Sequence, residues 1–359
     1  MSRILIHLDG GIGNIIMATP AVKALADRGH AVDLLIDGDY EDTEELFSRW
    51  PAPRHVSDQA SAFRDQSYDY YLASWLVSRP VAFLNGHRPI ILHAHYCSLY
   101  GAISNEWEMY LHYARAIDPT VETPYETYCG TSGRSFPEIS KETVVLAPGC
   151  KKIYPMKKWD KFDQLAEYFK DVAVVGTTED LYIENSVAYP RWIRRHLGRY
   201  LEYEGRLKHM INNLSKHYNH PQNFGAHVKN YIGKLSLADT AALISQAGMF
   251  IGNDGGLAHV AAALGVRTYI IYGPTSPKKN LIPRGHVTVI QKDLDCQPCQ
   301  FGGKYEEAWQ PHYIGCPIGM KCLASLSVAE VLKVIARDHR PTSVPSVAEI
   351  RKVKGSNEG

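Results

Sequence analysis

Short apolar runs at strand spacing alternate with apolar residues at helical spacing, in two successive series, and that alternation limits the chain to one class of fold. In the first series Arg3–Leu8 (RILIHL) reads as a strand, Asp9–Gly13 as a Gly-rich turn, Ile15–Asp27 as a helix ending before Gly29, and Ala31–Ile36 (AVDLLI) as a second strand. Tyr68–Leu76 and Pro89–Leu92 add strands, and Asn105–Ile117 adds a helix. In the second series Thr143–Ala147, Val172–Val175, Met249–Ile251 and Arg267–Tyr272 read as strands. Lys161–Phe169, Ser236–Gln246, Gly256–Leu264 and Val328–Arg337 read as the helices among them. Strands joined through helices run parallel and need cover on both faces, so the pattern predicts an α/β fold of two Rossmann-like lobes with a central cleft. Residues 118–141 are rich in Pro, Thr, Ser and Gly and read as the linker. The expected division is a first lobe over 1–140, a second over 141–338 and a polar tail over 339–359.

Composition agrees. A chain of 359 residues has room for two domains. Its 45% hydrophobic and 21% charged residues exclude a wholly disordered, collagen-like or coiled-coil chain. The formal net charge of +1 excludes a chain basic throughout, though not a local basic patch. The start, MSRILIHLDGG, lacks the cationic and apolar regions of a signal peptide, and no apolar run approaches the roughly 20 residues that span a bilayer. A cytoplasmic protein, peripheral to the inner membrane at most, is expected.

Three segments follow strands, where ligands of such sheets bind. The first is Asp9-Gly10-Gly11-Ile12-Gly13-Asn14. Its glycines permit a sharp turn and close approach to a ligand, yet a plain strand-to-helix turn reads the same way. The spacing is neither that of a dinucleotide fingerprint nor that of a P-loop. The second is Gly252-Asn253-Asp254-Gly255-Gly256-Leu257-Ala258-His259. Gly255 and Gly256 offer backbone N–H groups to an anion at a helix start, and His259 shares their face. The ordinary role for Asp254 is to cap that helix. The third, Pro155-Met156-Lys157-Lys158-Trp159, puts a lysine within reach of a diphosphate, or leaves two lysines solvated.

Together these segments resemble a known family. IGNDGGLAHVAAALGVRTYIIYGPTSP (251–277) resembles the donor-binding signature of the ADP-heptose:lipopolysaccharide heptosyltransferases, glycosyltransferase family 9. GGIGNIIMATPAVKAL (10–25), PGCKKIYPMKKWDKFDQLAEYF (148–169) and YIGKLSLADTAALISQAGMFIGND (231–254) resemble its other conserved stretches, in the family's order. The resemblance implies a GT-B fold and an inverting, metal-independent transfer of a sugar, heptose first, from a nucleotide diphosphate to a glycan such as lipopolysaccharide core. It implies that Lys157 contacts the diphosphate and that Asp254 holds sugar or ribose hydroxyls. Gly11, Gly13, Gly255, Gly256 and His259 would line the donor site, and Glu179 or Asp180 would bind the ribose. ADP-heptose is the favoured donor and an anionic glycan the favoured acceptor, with protein or nucleic acid as alternatives. A nucleotide-sugar-binding protein of weakened catalysis is the rival reading. Two positions depart from the family: Asn14 stands where its favoured base, an Asp, is common, and Gly255 stands where Ser or Thr is usual. Asn14 takes no proton at neutral pH. Either Asp9 replaces that base or Asn14 merely positions the acceptor.

Two further features stand apart. Four of the seven cysteines crowd into 296–322: Cys296, Cys299, Cys316 and Cys322. Such thiols suit a structural tetrahedral Zn or Fe site, or four reduced thiols in a loop, better than a disulfide framework. No catalytic metal is expected. Residues 177–230 form an insertion, and from Arg191 to Asn230 eight Lys/Arg face two Glu, a local excess of +6. Such a bias suits an anionic glycan, a nucleic acid or the acidic surface of another subunit in an oligomer.

Overall fold

The computed structural model describes residues 1–38, 42–74, 89–93, 105–122, 126–150, 157–181, 222–299 and 320–338, without the side chains at 93, 179 and 181. Most of the 177–230 insertion, Pro155 and Met156, Cys316, the 339–359 tail and the Glu179 side chain lie outside the described residues.

The first series forms a parallel sheet in the order β3-β2-β1-β4-β5. Its strands are β1 (Arg3–Gly10), β2 (Ala31–Gly38), β3 (His55–Ser57), β4 (Tyr70–Ala73) and β5 (Ile90–His93). Helices α1 (Ile12–Asp27) and α2 (Glu106–Ile117) accompany them. The second series is β6 (Val144–Ala147), α3 (Phe162–Ala166), β7 (Val172–Val174), β8 (Lys229–Asn230), α4 (Leu237–Gln246), β9 (Met249–Asn253), α5 (Gly256–Ala263), β10 (Arg267–Ile271), α6 (Pro277–Asn280), β11 (Val287–Ile290), α7 (Lys321–Ala324) and α8 (Val328–Asp338). Its parallel sheet has the order β11-β10-β9-β6-β7-β8.

Register explains why the strands read as unbroken apolar runs. β1 pairs β2 from Arg3↔Ala31 to Gly10↔Gly38 and is flanked by β4 on its other edge. Ile4, Ile6 and Leu8 join a core with α1, α2 and, from the second lobe, α4 and α5. Leu5 faces the other way, into a smaller cluster of Leu35, Phe63, Tyr68 and Tyr71. A central parallel strand is buried on both faces and has no polar side to alternate. Beneath the second sheet Trp159, Phe162, Leu165, Val331, Leu332 and Ile335 form a separate core, into which α3 and α8 pack.

Local chemistry sets the helix ends. Asn105 caps α2 by accepting from Trp107 N–H (3.1 Å), and Ser236 caps α4 by accepting from Asp239 N–H (3.1 Å). Pro20 lies inside α1 and cannot donate to the Ile16 carbonyl; Thr19 Oγ1 donates to it instead, at 2.7 Å. The expected helix Lys161–Phe169 is shorter as built, because its last turn closes through i→i−3 bonds from Tyr168 and Phe169. Of the linker, the part from 126 onward is an extended strap tied to both sheets' helices. Tyr128 N–H donates to Thr19 Oγ1 (2.9 Å), and Phe136 N–H to Gln246 Oε1 (3.0 Å).

His7, on β1, contacts Tyr71 Oη through Nδ1 at 2.6 Å. Burial pushes its imidazole down to about 4, against a smaller upward pull from Asp37, so it is neutral at pH 7. Among the described residues no helix is long and apolar enough to cross a membrane.

Candidate functional site

The carboxyl ends of β1, β6 and β9 meet where the two lobes touch. On the second lobe, Asn253 ends β9 and joins two neighbouring segments: its Nδ2 donates to Pro148 O (2.8 Å), and its Oδ1 accepts from Trp159 N–H (3.0 Å). This anchors the Lys157–Lys158 turn beside the next residue, Asp254. Asp254 does not cap α5; Gly255 is the N-cap, with extended backbone and no side-chain cap bond. The Asp254 carboxylate instead accepts from Thr275 Oγ1 (2.6 Å) and pairs with Lys157 Nζ (2.7 Å), both through Oδ2. Burial alone would push this carboxyl up. Lys157 and Thr275 outweigh burial and hold it below its ordinary value. Asp254 is thus an anion at neutral pH beside an uncapped helix start.

His259 lies one turn into α5, 7% exposed. Burial lowers its imidazole and Lys157 adds to that, against the opposing pull of Asp254 and Glu106, so the ring is neutral. The ring packs on the first lobe's loop: a Cβ at Gly13 would stand 2.6 Å from its Cδ2. Reciprocally, a Cβ at Gly256 would stand 3.3 Å from Ile12. The Gly-rich starts of α1 and α5 therefore touch each other, and His259 lines the seam between them.

Of the two acids expected near the ribose, the side chain of Asp180 is among those described. The Asp180 carboxylate lies against the backbones of Gly149 and Gly176 and accepts from Thr177 N–H at 2.7 Å. Lys158 is 5% exposed, and its ammonium donates to the Asp180 carbonyl. Its burial favours the neutral form. The two adjacent lysines therefore serve different partners, and neither is simply solvated.

On the first lobe, Gly10 turns the chain at φ +96°, a conformation that favours glycine, and Gly11 is the N-cap of α1. Asp9 is half-buried at the end of β1, and its N–H donates to Ser74 Oγ at 3.2 Å. Asn14 Nδ2 donates to Glu106 Oε1 at 2.5 Å. Glu106 is 1% exposed, and its second oxygen lies 3.6 Å from Lys279 Nζ of the second lobe. Glu106 and Asp9 both act on the buried Tyr110 hydroxyl, which burial pushes well up and which hydrogen-bonds Ser74.

Sequence reading missed Asn105, Glu106 and Lys279. Asn105 Nδ2 donates to the carbonyls of Lys278 (2.6 Å) and Leu281 (2.8 Å) while Oδ1 caps α2, so one side chain holds a turn of the opposite lobe. An Asn-Glu pair opening a helix looks like ordinary capping, which is why it gave no signal.

The cysteines are less assembled. Cys296, Cys299 and Cys322 are buried, and Cys299 Sγ donates to the Cys296 carbonyl at 3.2 Å. Among the described residues no three His, Cys, Asp or Glu side chains gather as a metal-binding group. Those three thiols alone do not form one, and Cys316 lies outside the described residues.

Residues 213–310 match the model of glycosyltransferase family 9 (heptosyltransferase). No curated protein matches the chain. The fold is similar to Escherichia coli ADP-heptose lipopolysaccharide heptosyltransferase II at 18% identity and a TM-score of 0.54, over 82% of this chain and 91% of that one. It is similar to E. coli heptosyltransferase WaaC, solved with ADP, at 15% identity and a TM-score of 0.52, over 94% and 97%. It is also similar to TibC of enterotoxigenic E. coli, an iron-containing dodecameric glycosyltransferase, at 14% identity and a TM-score of 0.58, over 94% and 76%. The family match and the shared fold bear out the resemblance, the GT-B architecture and the glycosyltransferase class read from the sequence.

The contact between Asn14 and Glu106 yields a prediction for position 14. Asn14→Asp removes a donor and sets a second carboxylate beside the buried Glu106. Like charges that close raise one of the two pKa values, so the folded variant holds a proton that its unfolded chain has released. Its stability should then fall relative to the parent as pH rises through and above the ordinary carboxylate range. Melting temperatures measured from pH 4 to 8 check this; a constant offset across that range would show that the two side chains do not interact.

Proposed function

We propose that this glycosyltransferase transfers a sugar, heptose first, from a nucleotide-diphosphate donor held by the second lobe to a hydroxyl of an anionic glycan such as lipopolysaccharide core. ADP-heptose is the favoured donor. The observation that carries the reading is the Lys157–Asp254 ion pair at the uncapped N-terminus of α5. A helix start with glycine at its first positions and a lysine alongside suits an anion the size of a diphosphate. A buried carboxylate beside it suits sugar or ribose hydroxyls. Asp180 suits a ribose, as an acceptor of two hydroxyls in the turn that follows β7.

The proposed transfer inverts the anomeric centre and uses no catalytic metal. The acceptor oxygen forms its bond to the anomeric carbon as the bond to the diphosphate oxygen breaks. The leaving electron pair rests on the diphosphate, where Lys157 and the N–H groups of Gly255 and Gly256 stabilise it. Asp9 is the proposed general base for the acceptor hydroxyl and Asn14 the residue that orients it. Asp9 supports this as the only carboxylate of its loop, half-buried at the cleft end of β1. We place the reaction in the cytoplasm. A structural zinc or iron at Cys296, Cys299, Cys316 and Cys322 is a further proposal, supported by the spacing of the four thiols and the burial of three. The metal would cross-link the loop, and no step of the transfer depends on it.

Three measurements test this. Removing one partner of a buried ion pair costs about 3–5 kcal/mol, so Lys157→Gln and Asp254→Asn are gentler probes than alanine. Calorimetric affinity for ADP or ADP-heptose should fall at least tenfold in each, with folding verified by melting; unchanged affinity in both would remove the donor site. Asp9→Asn should lower turnover by roughly 10²–10⁴ while donor affinity holds, and normal turnover would make Asp9 a turn residue. Elemental analysis of untagged protein should find about one Zn or Fe per chain. Four freely titratable thiols without metal would dismiss the structural site.

A further inference from the structure

Glu106 opens α2 at the seam of the two lobes, and its two carboxylate oxygens serve different lobes. Oε1 accepts from Asn14 Nδ2 at 2.5 Å on the first lobe, and Oε2 lies 3.6 Å from Lys279 Nζ on the second. The preceding residue makes the same crossing: Asn105 Nδ2 holds the carbonyls of Lys278 and Leu281. Lys279 is therefore delivered to Glu106 by a turn that α2 itself grips. Both charged groups are buried, at 1% and 8% exposure. A buried carboxylate with two partners is tolerable, but one stripped of a partner bears an uncompensated desolvation cost. Opening the seam would take Lys279 away and leave Glu106 in that state. Donation of Nδ2 to Glu106 also fixes the Asn14 amide plane, with Oδ1 on the opposite side.

We propose that Glu106 is a positioning residue that ties Asn14 of the first lobe to Lys279 of the second, so that closing the cleft and aligning Asn14 for the acceptor are one event. The proposal rests on the transfer reading above for the role of Asn14. Its physical content is separate: two groups, from α1 and α6, are held by one buried charge on α2. Removing either the charge or the ammonium should release the same two segments.

The experiment uses the full chain and four variants: Glu106→Ala, Glu106→Gln, Lys279→Met and the double variant Glu106→Gln/Lys279→Met. Hydrogen exchange should quicken at the first turn of α1 and at residues 277–281 together, both in Glu106→Ala and in Lys279→Met. With donor and acceptor, kcat should fall roughly 10- to 100-fold in Glu106→Ala, the scale of a lost hydrogen bond to a charged group, with affinity for ADP nearly unchanged. Glu106→Gln keeps an acceptor for Asn14 and should lose less. The double variant should be no worse than its weaker single, as for members of one unit. Exchange that stays unchanged at both segments, or kcat losses that multiply in the double variant, would overturn the tie. Glu106→Gln as inactive as Glu106→Ala, with the acidic limb of the pH profile lost, would make Glu106 the base instead and also overturn it. A parent protein that binds no nucleoside diphosphate sinks the transfer reading, while the exchange measurement still decides whether the tie exists.

Discussion

Two helix N-termini touch at the cleft, and a glycine stands at each point of contact. A side chain at Gly13 would collide with His259, and one at Gly256 would press on Ile12. Each helix start carries roughly half a positive charge, so bringing two together is unfavourable unless anions stand near. Glu106 stands near the first and Asp254 near the second, both buried and both at the seam. Lys157 and Lys279 then balance those carboxylates. The close approach of two glycine loops thus fixes the small residues, the buried acids and the lysines around them. Because one apolar core runs from β1 through α1 to α4 and α5, the seam is braced by packing as well as by charge.

Much of this was legible in the sequence, and the reasons it was legible are physical. β1, β6, β9 and β10 are central or nearly so, buried on both faces, and their unbroken apolar runs show it. The helices α4 and α8 carry apolar faces at helical spacing against a core. β3, β8 and β11 were missed: they are at the sheet edges, and β8 has two residues. A short edge strand buries too little to impose a pattern. The glycine loops were legible because close approach leaves a composition that few other needs produce. Glu106 was not. Its partners lie 92 residues back, at Asn14, and across the cleft, at Lys279. Nothing local distinguishes it from an acid placed in a helix's first turn to suit the dipole.

The substitution of Asn for a carboxylate at position 14 looks different once its neighbour is known. A carboxylate there would share the pocket with Glu106, and two such groups at hydrogen-bond distance cannot both ionise. With Glu106 present, an amide at 14 is the choice that lets the pair hold one negative charge and one hydrogen bond. The departure from the family pattern is therefore compatible with a chemically complete site. Under the proposed transfer, the general base must then be another carboxylate than position 14, which is the role given to Asp9.

Sequence reading gave Lys157 and Asp254 separate duties, the one for phosphate and the other for hydroxyls, but the geometry couples them. In the free protein the Lys157 ammonium is engaged by Asp254 Oδ2, the oxygen that also accepts from Thr275. Under the proposed function, a diphosphate arriving at α5 must share or take that ammonium. Asp254 would then lose its strongest charge partner while remaining buried, a state that is costly unless new donors reach it. The hydroxyls of a sugar or ribose are such donors, and inorganic phosphate or pyrophosphate brings no sugar hydroxyl. Exchange of partners at this one ion pair would therefore favour a ligand carrying both phosphate and hydroxyls over one carrying phosphate alone.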